Sequence, residues 1–267
     1  MKKICSNNRW VRFLTLLLTA AFILGCQGEQ TEEVPVYDGW KTFGHGHFVF
    51  HFPEGNYWGK EIESLANAFE RYLHENCDFL GIEIPVDTIH FYIYDTEQQA
   101  EQLTGRQLPF HTDRTIHWDG PPYYGRELAR FLIDKWGVRR TDFDFLYDGL
   151  ATLRDYSSIN YHHLTTAYIE MEKYIPLDTL IDNAAYARQK KVERQSEAAS
   201  LVAFLTYHFG INRFKMLWQS TGTFEEAIRE LYDMDLATLE ERWLEFAAKF
   251  FEGIEMKTIQ LTPGVTQ

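Results

Sequence analysis

Cysteine is scarce in this chain, with three residues among 267, at positions 5, 26 and 77. Cys5 and Cys26 fall within or at the end of an N-terminal leader, so Cys77 stands alone in the body, and one thiol cannot form an internal disulfide. The fold therefore stands on its core even in an oxidising compartment. Material for a core is ample, at 45% hydrophobic and 16% aromatic residues, enough for one large or two small domains. Positive charge is short as well: 26 Lys and Arg face 39 Asp and Glu, a net charge of −13. No basic face is visible, which argues against nucleic-acid binding. There is no Gly-x-Ser-x-Gly nucleophile elbow. Cys77 sits in Glu75-Asn76-Cys77-Asp78, where neighbouring acids discourage a thiolate. Repeats and low-complexity tracts are missing too.

The first 25 residues read as an address. Lys2, Lys3, Arg9 and Arg12 form a basic leader, and Phe13 to Leu24 form an apolar run short for a spanning helix. Read from the residues alone, a plain membrane anchor stays open. The run ends Ile23-Leu24-Gly25-Cys26, which resembles the bacterial lipoprotein box. That resemblance implies cleavage before Cys26, lipidation of Cys26, and a membrane partner through the lipid. In lipoproteins of Gram-negative envelopes, Gln27 rather than Asp at the next position implies sorting to the outer membrane, with the body facing the periplasm. Losing the leader removes four positive charges and no acids, so −13 less four leaves −17 for the body.

Residues 26–38 form a polar tether and 256–267 a tail; the domain between them, 39–255, is strand-rich over 39–122 and helical over 123–255. Phe48, Phe50 and Phe52 alternate with His47, Val49 and His51, which predicts a strand ending at Pro53. Ile62, Leu65, Phe69 and Leu73 have helical spacing across Gly59 to Asn76. Ile89, Phe91 and Ile93 alternate again, and Arg114 to Trp118 reads as a short edge strand closed by the Asp119-Gly120-Pro121-Pro122 turn. From Tyr124 onward the pattern is helical. Leu128, Phe131, Leu132 and Trp136 form an apolar stripe, with Arg126, Glu127, Arg130 and Asp134 on the opposite face. Ala198, Val202, Leu205 and Phe209 mark another helix, and Thr223-Phe224-Glu225-Glu226 is a capping box. Leu236, Leu239, Trp243, Phe246 and Phe250 mark the last. Strands first and helices afterwards make an α+β fold, a small mixed sheet with a helix followed by a mainly helical region.

Chemistry concentrates at Gly125-Arg126-Glu127-Leu128-Ala129-Arg130. In the His-Glu-x-x-His pattern, two histidines four apart bind zinc from one helix face and the intervening glutamate is the general base. Here Glu127 occupies the base position and Arg126 and Arg130 the ligand positions. A guanidinium stays protonated and has no lone pair for a metal. This helix, the segment Phe145-Leu146-Tyr147-Asp148-Gly149-Leu150-Ala151, the strand-helix-strand opening and the C-terminal helices together resemble the peptidase MA-like, or gluzincin, zinc metallopeptidases. The resemblance implies a gluzincin-like fold. It places Asp148 where the family's third ligand, a glutamate, belongs. All three ligand positions thus depart from the pattern, and Glu127 alone is intact.

A bare reading of Arg126, Glu127 and Arg130 is a solvated helix face. With the resemblance, the segment becomes a cleft floor, where Arg126 or Arg130 is expected to clasp Asp148 in place of a metal, a planar guanidinium being suited to a bidentate grip. His45, His47 and His51 near the first strand, His117 on the edge strand, and the divergent neighbours His162 and His163 read as surface or satisfied core histidines rather than ligands. No metal or other cofactor is expected, and zinc enters only if unusual ligands serve. Tyr123, Tyr124, Tyr147 and Tyr156 gather around the central segments as ordinary packing. The leading expectation is a catalytically inactive, lipid-anchored envelope protein that binds or scaffolds peptides or envelope proteins, an extended peptide adding to the edge strand. The alternatives are an active zinc metallopeptidase with unusual ligands, and a structural lipoprotein whose cleft is filled.

Overall fold

The computed structural model describes residues 34–118, 120, 125–157 and 159–252. The leader, Cys26, the tether up to residue 33, Tyr123, Tyr124, most of the Asp119–Pro122 turn and the 256–267 tail lie outside them.

The fold is α+β, as the patterning predicts, with every described strand preceding residue 119 and helices alone following residue 125. The strands are β1 (Trp40–His45), β2 (Phe48–Pro53), β3 (Ile89–Ile93), β4 (Phe110–His111) and β5 (Thr115–Trp118), in the sheet order β1-β2-β3-β5-β4. β1 and β2 form an antiparallel hairpin; β2 with β3 and β3 with β5 run parallel; β4 is antiparallel to β5. β5 is therefore internal, and the expectation of an edge strand at Arg114 to Trp118 is corrected: the edge is β4. A tight turn folds β4 outside β5, held by Thr112 N–H donating to Thr115 O at 2.9 Å and by their hydroxyls at 2.7 Å. Two residues are too few to show a period, so this strand leaves no alternation in the sequence.

Alternation sorts the sheet into two faces. On one, Phe48, Phe50, Phe91 and Trp118 surround Phe69 with ring centroids 4.6–6.2 Å away. Phe69 comes from α2 (Ile62–Leu80), which follows the short α1 (Tyr57–Lys60). α2 buries Ile62, Leu65, Phe69, Leu73, Cys77 and Leu80 along one side and stops at Gly81, whose φ of +65° suits glycine. On the opposite face, registered positions of four strands stack as a ladder: His51 on Tyr92 at 4.4 Å, Tyr92 on His117 at 4.7 Å, and His117 on Phe110 at 4.1 Å. Burial, then the Arg106 and His51 charges, push His117 down to about 3, so this is a neutral aromatic stack. α3 (Glu97–Thr104), capped by the Thr96 side chain, lies between β3 and β4 in the chain.

α4 (Arg126–Asp134) opens the helical half and α5 (Asp144–Leu153) follows it. α6 (Tyr161–Glu170), α7 (Leu177–Ile181) and α8 (Asn183–Arg188) lead to α9 (Lys191–Phe209), which is buried at every position from Gln195 to Leu205 and forms the axis of this half. α5 presses closely on α9 at Gly149, where an added Cβ would lie 2.6 Å from the Ala198 carbonyl oxygen. α10 (Ile211–Trp218), α11 (Phe224–Tyr232) and α12 (Leu236–Glu252) complete the order, and the expected Thr223–Glu226 capping box is present. No helix among the described residues is long and apolar enough to cross a membrane.

Candidate functional site

Helix α4 carries Arg126, Glu127, Arg130 and Asp134, three and four residues apart and hence on one side. At its start that side is not a solvated face: Arg126 is 5% exposed and Glu127 3%, while Asp134 at the far end is exposed. Buried charges persist only when paired and hydrogen-bonded, and these are.

Arg130 is the centre. Its Nη1 donates to Glu127 Oε2 at 3.3 Å and its Nη2 to Asp148 Oδ1 at 3.1 Å, which ties α4 to α5. The fork is divided between two carboxylates, in place of the expected bidentate grip on Asp148. Burial disfavours the guanidinium charge, but Glu127, Asp148 and their neighbours outweigh it and raise the Arg130 pKa further. The second oxygen of Asp148 accepts from the Tyr186 hydroxyl of α8 at 3.2 Å.

Arg126 does something else. Its guanidinium donates to Gln195 Oε1 on α9 at 2.9 Å, to Asp155 Oδ2 at 2.9 Å and to the Tyr161 hydroxyl at 3.2 Å. The Tyr161 hydroxyl donates in turn to Asp155. Asp155 is also where α4 begins, since Gly125 N–H donates to its carbonyl at 2.7 Å. A Cβ at Gly125 would meet the Tyr156 ring at 2.8 Å, so only glycine fits this approach. Of the two arginines in the motif, Arg130 alone makes the expected contact with Asp148.

His111 is the member that sequence reasoning missed. From edge strand β4, its Nδ1 lies 2.5 Å from Glu127 Oε1 and its Nε2 lies 2.9 Å from Asp134 Oδ2. A carboxylate only accepts, so both ring nitrogens donate and the ring is an imidazolium. Burial opposes that charge, but the hydrogen bonds and charges of Asp134 and Glu127 prevail and raise the pKa to about 9. The result is an alternating chain, Asp134–His111–Glu127–Arg130–Asp148, of three acids and two cations. Arg126 pairs with Asp155 instead, so His111 is the second cation of this chain.

These residues do not fit a zinc ion. Arg126 and Arg130 have no lone pair to give, and both oxygens of Glu127 and both of Asp148 already accept hydrogen bonds from His111, Arg130 and Tyr186. A general base needs a carboxylate oxygen facing a water; Glu127 presents each oxygen to a cation. What the arrangement does chemically is hold a sheet edge and two helices together through buried ion pairs.

The remaining candidates are scattered. His51 bonds to His90 at 2.9 Å, His117 to the Tyr94 hydroxyl at 2.7 Å, and His162 to the Ser200 hydroxyl at 3.2 Å. His45 stacks on Phe43. His47 turns away from β2 toward α2 and meets Glu70. Tyr156 stacks on Tyr72 at 4.0 Å, and Tyr147 packs under Arg140. The Cys77 thiol is buried within α2 and pushed up to about 11 by burial and by Asp78, which leaves it an inert core side chain.

No protein-family model, no curated protein and no solved structure matches the chain.

Proposed function

We propose that this protein is a lipid-anchored component of a bacterial cell envelope, facing the periplasm from the outer membrane, whose body is a gluzincin-like peptidase domain retired from hydrolysis. Its role is to bind or scaffold peptides or envelope proteins. The observation that carries the reading is Arg130, a cation at a position where the resemblance places a zinc ligand, gripping both the base position Glu127 and the third-ligand position Asp148. An ion pair thus takes the metal's place as the clasp between the two helices. Arg126 stands at the other ligand position and braces α4 against α9 and the Asp155 turn. Among the described residues the sheet edge beside this network is β4, where an extended peptide would add as a further strand.

The test is incubation of the wild-type protein and Glu127→Gln with a mixed library of unstructured peptides, read by mass spectrometry for cleavage and by retention for binding. Retention without cleavage is expected from both. Cleavage that Glu127→Gln abolishes overturns the reading in favour of an active metallopeptidase. Neither cleavage nor retention favours the structural alternative with a filled cleft, which the 3% exposure of Glu127 supports. The anchor is tested separately: Cys26→Ser should abolish labelling by a fatty-acid analogue and release the protein from the membrane fraction.

A further inference from the structure

Away from the α4 network, a second group of polar side chains converges on the hairpin side of α2. Glu70 and His74 are four apart on that helix, so they share a face, and the β1–β2 turn brings His47 over them. His47 Nδ1 lies 2.5 Å from Glu70 Oε1, and His74 Nε2 lies 3.4 Å from the same oxygen. The two imidazoles meet edge to face at 5.8 Å, and one ligand atom from each of the three residues falls within 4.8 Å of the others.

The carboxylate is fixed in place. Glu70 Oε2 accepts from the His47 backbone N–H at 3.1 Å, which leaves Oε1 aimed between the imidazoles. The turn makes room for it only because residue 46 is glycine, with φ at +54° and no Cβ, which would stand 2.3 Å from Glu70 Oε2. A ligand oriented by a backbone donor is how metal-binding carboxylates are commonly held. Exposure of 36% for His47, 20% for Glu70 and 51% for His74 leaves the group open to ions from solution.

We infer that His47, Glu70 and His74 form a binding site for one divalent transition-metal ion of the zinc class, independent of the α4 network. Two imidazoles and one carboxylate suit zinc, nickel or copper, and suit magnesium or calcium poorly, since those ions take oxygen ligands. Tetrahedral zinc with bonds of about 2.0–2.1 Å places its ligand atoms about 3.3–3.4 Å apart. The His74–Glu70 spacing already matches; the His47–Glu70 pair, now joined by a hydrogen bond, opens by roughly 1 Å. As the ion takes the Nδ1 lone pair of a neutral His47, the ring proton passes through solvent to Nε2, so the imidazole stays neutral and keeps one N–H. Three protein ligands leave a fourth position for water.

The test uses the full body of the protein, stripped with chelator and dialysed free of it, titrated with zinc by calorimetry near pH 7.5. One saturable zinc per chain and a higher melting temperature with zinc than without are expected. His47→Ala and His74→Ala should each weaken association by about tenfold or more. Both side chains are at least a third exposed, so the variants should fold, and their metal-free melting curves check this. Glu127→Gln should leave zinc binding unchanged. No saturable binding, or binding unaffected by the two histidine substitutions, overturns the inference. Zinc lost with Glu127→Gln but retained in His74→Ala would overturn the proposed function as well, because the ion would then sit at the α4 network.

Discussion

His111 on the edge strand donates across 2.5 Å to Glu127 on helix α4. The second ring nitrogen donates to Asp134 at 2.9 Å, about two helical turns along the same helix. One ring thus closes a sheet edge onto α4 and carries a charge to do it.

That charge makes stability depend on pH. Held at about 9 against an ordinary 6.5, His111 binds its proton more tightly in the folded state than in the unfolded. Its contribution is complete below about pH 6.5 and is lost as pH rises through about 9. The urea midpoint of the wild-type protein should fall across this interval. His111→Gln should be destabilised by roughly 1–3 kcal/mol at pH 6 and show a shallower fall.

Removing Arg130 should do more damage than removing either of its partners. Arg130→Met leaves Asp148 with the Tyr186 hydroxyl alone and Glu127 with His111 alone, at an expected cost of about 2–4 kcal/mol. Adding Glu127→Gln to that variant should return at least part of the loss, a coupling of about 1 kcal/mol or more in a double-mutant cycle of urea denaturation. Additive losses would mean that the two side chains do not interact.

Gly149 carries no chemistry, yet should tolerate substitution badly. A methyl group there would stand 2.6 Å from the Ala198 carbonyl oxygen and 2.9 Å from Val202 Cγ2, and backbone does not yield as a side-chain tip does. Gly149→Ala should cost about 1–3 kcal/mol by forcing α5 and α9 apart. Thermal unfolding followed by circular dichroism will measure it.

Glu197 lies fully buried on α9, accepting from the Ile175 N–H at 2.8 Å. Burial raises its pKa to about 8; the Ile175 donor opposes this and Glu193 adds to it. Folding favours the protonated acid, so its contribution is whole below about pH 4.5 and is lost as pH rises through about 8. Glu197→Gln mimics the protonated form, and should match the wild type near pH 4 and exceed it by roughly 4 kcal/mol at pH 9. Equal stability of the two at pH 9 would show that Glu197 ionises freely in the fold.

Much of the fold was legible in the sequence. Phe48, Phe50 and Phe52 face α2 because a strand sends alternate side chains to one side, and the capping box at Thr223 needs only four residues to declare itself. The contact between Arg130 and Asp148 followed from a resemblance of two neighbouring segments. What the sequence hid was the partnership of each charge. Arg126 and Arg130 are equivalent in a motif, but helical geometry points one toward Asp155 and Gln195 and the other toward Asp148. β4 is too short for a period, so neither the true sheet edge nor His111 could be read. The same holds for His47, whose ligand-like partners come from a helix more than twenty residues away.

Composition and periodicity by themselves determined an acidic α+β body, free of internal disulfides, with an aromatic core beneath one face of a small sheet. Those properties depend on near neighbours in the chain and on total apolar content. Which charges meet was decided only by tertiary structure, because a buried ion needs a counter-ion at about 3 Å. That distance is set by the packing of β4, α4, α5 and α9, whose members lie far apart along the chain.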